Sequence, residues 1–167
     1  MYLAFSQTAD KTIANTVTET TLFGTGVGTL TLPANFWVVG RSVRVTLHGD
    51  FTDTGSPTVT VKVKLGATTM IDSGAITIPS LGGTEEWRCE VFLTCRTTGV
   101  SGIIETNIDF MYETTTGASA VEQLTISGTS TTFDTTASGA LDATFQWGTA
   151  SASNTITSEI ALVEVLN

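Results

Sequence analysis

The sequence predicts an all-β protein, a jelly-roll-like antiparallel β-sandwich. Three observations carry that expectation. Apolar and polar residues alternate with a period of two in segment after segment from Thr18 to Leu166, the pattern of half-buried strands. About a fifth of the 167 residues are Thr and 16 are Gly, while only 14% are charged, a composition that suits strands and turns better than helices. No segment keeps a 3.6-residue period for more than two turns. With about ten strands separated by Gly- and Ser-containing gaps, two sheets packed face to face are expected rather than one open sheet.

A chain of this length suits a single domain, burying roughly 70% of the surface its unfolded form exposes. Residues 1–15, MYLAFSQTADKTIAN, show less alternation and read as an N-terminal arm before a sandwich domain over 16–167. Tyr2, Leu3 and Phe5 make that arm apolar, so it is expected to dock on its own domain or on a neighbouring subunit. GTGVG, Gly24 to Gly28, reads as a glycine turn between strands. In PANFWVVG, Pro33 and Asn35 suit an irregular or helical turn, and Phe36 and Trp37 are placed to cap one end of the core.

Next, Val43, Val45, Leu47 and Phe51 alternate with Arg44, Thr46, His48 and Asp50. In PTVTVKVKLG, Val59, Val61, Val63 and Leu65 alternate with Thr58, Thr60, Lys62 and Lys64. The intervening TDTGS carries turn residues, so the two strands are expected to be a hairpin or sheet neighbours. Trp87, Cys89, Val91, Leu93 and Cys95 face one way; Ile104, Thr106, Ile108, Phe110 and Tyr112 share a side of the following strand. VEQLTISG, STTFDTT, ALDATFQW and NTITSEIALVEVL complete the set, with Leu141, Ala143, Phe145 and Trp147 on one side. Cys89 and Cys95, six residues apart on one strand, would stand about 20 Å from each other, beyond disulfide reach. They are expected as free, buried thiols.

Several functions are disfavoured. The formal charge is −9 with seven Lys and Arg scattered along the chain, so a nucleic-acid backbone would be repelled. No apolar run approaches eighteen residues, and the N-terminus has no basic start before a long apolar stretch, so neither a membrane span nor a secretory signal is expected. The one histidine, His48 in TLHGD, has no activated serine in a strained turn to serve and reads as a surface strand residue. The carboxylates occur in ones and twos and read as solvated. HGDFTDTG could hold calcium only loosely through Asp50 and Asp53, without the ligand density of a dedicated loop. GTGVG is followed by the strand-like TLTL, whereas a phosphate loop must open a helix. No cofactor, metal or catalytic residue is therefore assigned.

The segment TETTLFGTGVGTLTLPANFWVVGRSVRVTLHGDFTDTGSPTVTVKVKLG, residues 18–66, resembles one that recurs in structural proteins of tailed bacteriophages. Its pieces are E-T-x-L-F-G, L-P-A-N-F-x-x-G-R and the apolar strand after S-P-T. The resemblance implies a non-enzymatic jelly-roll virion component, often trimeric, on the capsid surface or at a fibre or tail tip. It implies synthesis in the host cytoplasm and assembly onto the virion surface. The partners would be copies of itself, as a homotrimer, and the major capsid protein or other virion proteins, with no nucleic acid and no membrane.

In that setting the expected role is capsid decoration by surface burial, without a reaction step. Phe92 lies in the outward register of Glu86, Arg88 and Glu90, and Ile103 and Met111 are likewise out of phase with the inward side of their strand. With Tyr2, Leu3 and Phe5 these are the candidate subunit or capsid contacts. The alternative is a fibre-tip or carbohydrate-binding jelly roll that stacks a host glycan on an exposed aromatic. Trp37, in its loop-like segment, is the candidate there, although its apolar neighbours favour a place in the core.

Overall fold

The computed structural model describes residues 1–81, 83–114 and 120–167. It is all-β, 63% strand, with antiparallel sheets packed against each other as a β-sandwich. In chain order the strands are β1 (Tyr2–Gln7), β2 (Lys11–Ala14), β3 (Thr20–Thr21), β4 (Gly26–Gly28) and β5 (Thr31–Leu32). Then come β6 (Ser42–Thr52), β7 (Thr58–Leu65), β8 (Thr68–Asp72), β9 (Ile76–Thr77) and β10 (Glu85–Thr97). The chain closes with β11 (Gly102–Glu113), β12 (Val121–Phe133), β13 (Gly139–Trp147) and β14 (Thr155–Val165).

The larger sheet runs β12-β11-β10-β6-β14-β1-β4, with β2 also on β14; the smaller runs β3-β13-β7-β8, with β5 on β13 and β9 on β7. Consecutive strands β6 and β7 pair with β14 and β13 in turn, so two strand pairs wrap together across both sheets in jelly-roll fashion. Where they cross from one sheet to the other they are tied: Asn154 Oδ1 accepts from the Thr54 amide at 3.2 Å, and Thr52 Oγ1 donates to the Ser153 carbonyl at 3.1 Å. The hairpin expected of β6 and β7 is thus corrected. Each turns its apolar face to the same core from opposite sheets, and TDTGS is a corner between layers.

The inward residues of both sheets form one core. Val43, Val45, Leu47, Val61, Val63, Val91, Leu93 and Trp147 are wholly buried, and Cys89 and Cys95 lie among them as free thiols. Trp87 faces Gly49 across β10 and β6. Its indole N–H donates to the carbonyls of Asp50 at 3.0 Å and Thr157 at 3.1 Å. That stitches three strands at a bulge in β14, where pairing to β6 skips from Ser158 to Ile160. A Cβ on Gly49 would stand 1.9 Å from the Thr157 oxygen, so the bulge needs glycine opposite it. Beyond the bulge the strand changes phase: Ile156 points inward, but so do Ala161, Val163 and Val165, while Ile160 faces out, 50% exposed.

Residues 1–15 are built into the larger sheet through β1 and β2, both paired with β14. Phe5, expected as an interface residue, is instead a core residue of its own domain, 5% exposed and edge-on to Phe23 at 5.6 Å. Tyr2 and Leu3 remain exposed. The expected turn GTGVG is corrected in part, since Gly26–Gly28 is itself a strand on β1. A Cβ on Gly26 would meet the Phe5 ring at 2.4 Å, and one on Gly28 the Ala4 oxygen at 2.1 Å. These glycines allow backbone to lie directly over an aromatic side chain.

Candidate functional site

The two outer faces of the sandwich differ in chemistry. On the smaller sheet, outward residues satisfy one another. Lys62 Nζ lies 3.2 Å from Asp72 and 3.5 Å from Glu19, and Lys64 Nζ 3.0 Å from Glu19. Thr144 donates to Glu19 at 3.0 Å and Thr21 to Asp142 at 2.5 Å. The lysines and the threonine beside it hold the Glu19 carboxyl below its usual range, Lys64 contributing most. A face whose charges are already paired gains little from a partner.

The outer face of the larger sheet mixes exposed and half-buried apolar side chains with charge, and strand register arranges them in rows. One row crosses Met111, Arg88, His48 and Ile160 on β11, β10, β6 and β14. The next crosses Asp109, Glu90, Thr46 and Leu162, continuing to Ser6 and Val27. The third crosses Asn107, Phe92, Arg44, Glu164 and Leu3. With strands about 4.8 Å apart, a row of five spans about 20 Å. Phe92, Ile103 and Met111 are all half-buried here, while Leu3 is 55% and Val27 70% exposed. Ile103 lies at the far end of β11 from Met111, opposite Thr132.

The charges on this face are unevenly matched. Arg44 is held by Glu164, with Nη2 2.6 Å and Nε 2.9 Å from the same carboxylate oxygen, and lies 4.0 Å from Glu90. Asp109 accepts from Gln123 Nε2 at 2.8 and 3.0 Å and from Thr125 Oγ1 at 3.2 Å. Arg88 lies over a thioether instead: its Nη2 and Nε are 2.9 and 3.2 Å from Met111 Sδ, and among the described residues it makes no salt bridge. Two shallow hollows, of about 100 and 330 Å³, meet at His48 and Arg88, the larger reaching Glu86, Met111, Glu113 and Val121. An exposed arginine against Met111, with Glu86 and Glu90 on either side along its strand, Ile160 beyond His48, Phe92 two rows away and hollows on both sides, is the mixed composition of an interface rather than of a reaction site.

Chemistry elsewhere is sparse. His48 has Arg88 and Ile160 as its register neighbours, neither able to orient an imidazole as a base. Among the described residues no three His, Cys, Asp or Glu side chains come together as metal ligands. Asp50 and Asp53 do not converge, since Asp50 faces out on β6 while Asp53 is buried at 4% exposure and accepts from the Leu81 amide at 2.9 Å. Asp53 was expected among solvated acids; instead burial raises its carboxyl above the usual range. Trp37, the candidate glycan contact, is 3% exposed and edge-on to Phe36 at 5.1 Å. It caps the core, and sugar cannot reach its faces. Arg41 lies over the Phe36 ring, 5.1 Å from its centre.

Sequence reasoning found Phe92, Ile103 and Met111 because they break phase with an inward neighbour. It missed Ile160 and Leu162, which the bulge turns outward, and Val27, concealed in a glycine-rich segment. No known family model, curated protein or solved structure matches this chain.

Proposed function

We propose that this chain is a non-enzymatic virion surface protein of a tailed bacteriophage, a capsid decoration subunit that oligomerises on the particle through the outer face of its larger sheet. The observation that carries the interface is an uncovered face on which Met111, Arg88, His48 and Ile160 form one row, Leu162 lies in the next and Phe92 in the one beyond: apolar side chains share it with an arginine that, among the described residues, makes no salt bridge. The virion setting rests on the resemblance of residues 18–66, as do the homotrimer, the major capsid protein as partner and synthesis in the host cytoplasm. Decoration by burial asks for no catalytic group, and binding energy spread over many copies allows each contact to be weak. The glycan-binding alternative loses its platform with Trp37 in the core.

The test is to add the purified chain to empty capsids, detached tail fibres and bacterial cells and to measure co-sedimentation. Capsid binding is expected, together with its loss in Phe92→Asp, a variant that leaves the inward face untouched. Binding to cells alone, unaffected by Phe92→Asp, would overturn the decoration reading in favour of receptor recognition.

A further inference from the structure

The larger sheet ends in β12, whose outer edge pairs with nothing among the described residues. At 13 residues it is far longer than the short strands elsewhere, for β2, β3, β4, β5, β8 and β9 run from two to five residues. Such an edge offers a row of unpaired amides and carbonyls, and proteins usually blunt it with lysine, proline or a bulge. VEQLTISGTSTTF has no lysine, arginine or proline, and Glu122 is its single ionisable side chain. Its bulge lies at Ser127 and Gly128, where φ is +72°, leaving Val121 to Ile126 straight. The smaller sheet reaches this strand near its far end, where Thr131 Oγ1 donates to the Met70 carbonyl at 2.9 Å. Leu124 and Ile126, opposite Phe110 and Ile108, are only half-buried.

We infer that β12 pairs with β12 of a second copy, antiparallel about a twofold axis, continuing the larger sheet from one subunit into the next. This rests on the reading of the chain as a self-associating subunit. The second copy is singled out by length and by charge. A strand of this length needs an equally long free edge, and among the described residues only another β12 supplies one. Two chains of net charge −9 repel except where they meet at a nearly neutral strip, and β12 is such a strip. The register that sets Leu124 against Ile126 of the second copy, twice over, puts Thr125 on the axis. It places Glu122 opposite Gly128, so the two Glu122 stand about 20 Å apart along the strands, beyond a Debye length of about 8 Å. In a trimeric subunit this contact joins one trimer to the next.

The test uses the full chain. Thr125→Cys, oxidised under native conditions, is expected to give a covalent dimer, the native thiols being buried. Val100→Cys, at a 73% exposed loop position, is the control for random collision. Thr125→Lys sets two ammonium groups face to face across the axis, while in the single subunit the new charge stands beside Asp109. By sedimentation velocity it should weaken self-association by about tenfold or more. A wild-type chain that associates while Thr125→Cys cross-links no more than Val100→Cys overturns the edge contact alone. A wild-type chain that stays monomeric overturns the self-association reading with it.

Discussion

Replacing Gly49 by alanine tests the joint that sets the phase of β14. The added Cβ would lie 1.9 Å from the Thr157 oxygen and 2.9 Å from its carbon, so β6 and β14 must part by about 1 Å to reach tolerable contact. Overpacking of this kind costs about 1–3 kcal/mol. The same movement pulls the Asp50 and Thr157 carbonyls from the Trp87 indole, and two hydrogen bonds are worth about 1 kcal/mol each. Alanine regains about 0.5–1 kcal/mol over glycine within a strand. The expected net loss is about 3 kcal/mol, which for a chain of this size lowers Tm by about 6–12 °C. Calorimetry and urea denaturation measure it, and near-ultraviolet circular dichroism follows the Trp87 environment. A Tm within about 2 °C of wild type, with the denaturant slope unchanged, would refute the claim that glycine is required opposite the bulge.

Three further outcomes are expected. Trp37→Ala should destabilise by about 3–5 kcal/mol as a core truncation, measured by denaturant unfolding, and a variant of unchanged stability would reopen the case for an exposed ring. Glu19→Gln should cost up to about 1 kcal/mol near neutral pH. Because the folded carboxyl titrates below its unfolded value, that stability is present above the unfolded pKa and lost as pH falls through the folded one; the mutant and wild type should converge in acid, and a difference that persists there would argue against the lysine contacts as its source. Asp53 has the opposite sign. Its folded pKa is raised, so wild type should gain on Asp53→Asn as pH falls from the folded pKa toward the unfolded one, and parallel stability curves would show that Asp53 does not titrate differently on folding.

The alternation of β6, β7, β10, β11 and β13 was largely legible, because each strand has one face on the core; it breaks only past Cys95 in β10, where the register shifts, and at Thr144 in β13, which is buried between Ala143 and Phe145. Partnership was not. Val43–Phe51 and Val59–Leu65 look like two arms of a hairpin, since strands facing the core from opposite layers carry the same pattern as neighbours in one layer. Phe5 and β1 were obscured for a related reason: a strand covered by a glycine ribbon needs few apolar residues of its own. The outer face was legible where an aromatic broke phase, as at Phe92, and illegible beyond the bulge, where one extra residue inverts the meaning of every later position in β14. Buried acids such as Asp53 carry no local signal, because their partner is a backbone amide far along the chain.

An interior strand of the larger sheet, β14, is the last of the described strands to leave the ribosome. Until it emerges, β6 has one neighbour, β1 and β2 lack the strand they pair with, and the Trp87 indole has one of its two carbonyls. The wrap of β6 and β7 with β13 and β14 closes loops of about 75 to 120 residues, and contacts so distant in sequence make folding slow. Nascent chains therefore carry half-built sheets with unpaired edges, the species most prone to stick to one another. The larger sheet is joined into one only when this eleven-residue strand inserts between β6 and β1, so a single late insertion, rather than growth strand by strand, closes the open edges of β6 and β1.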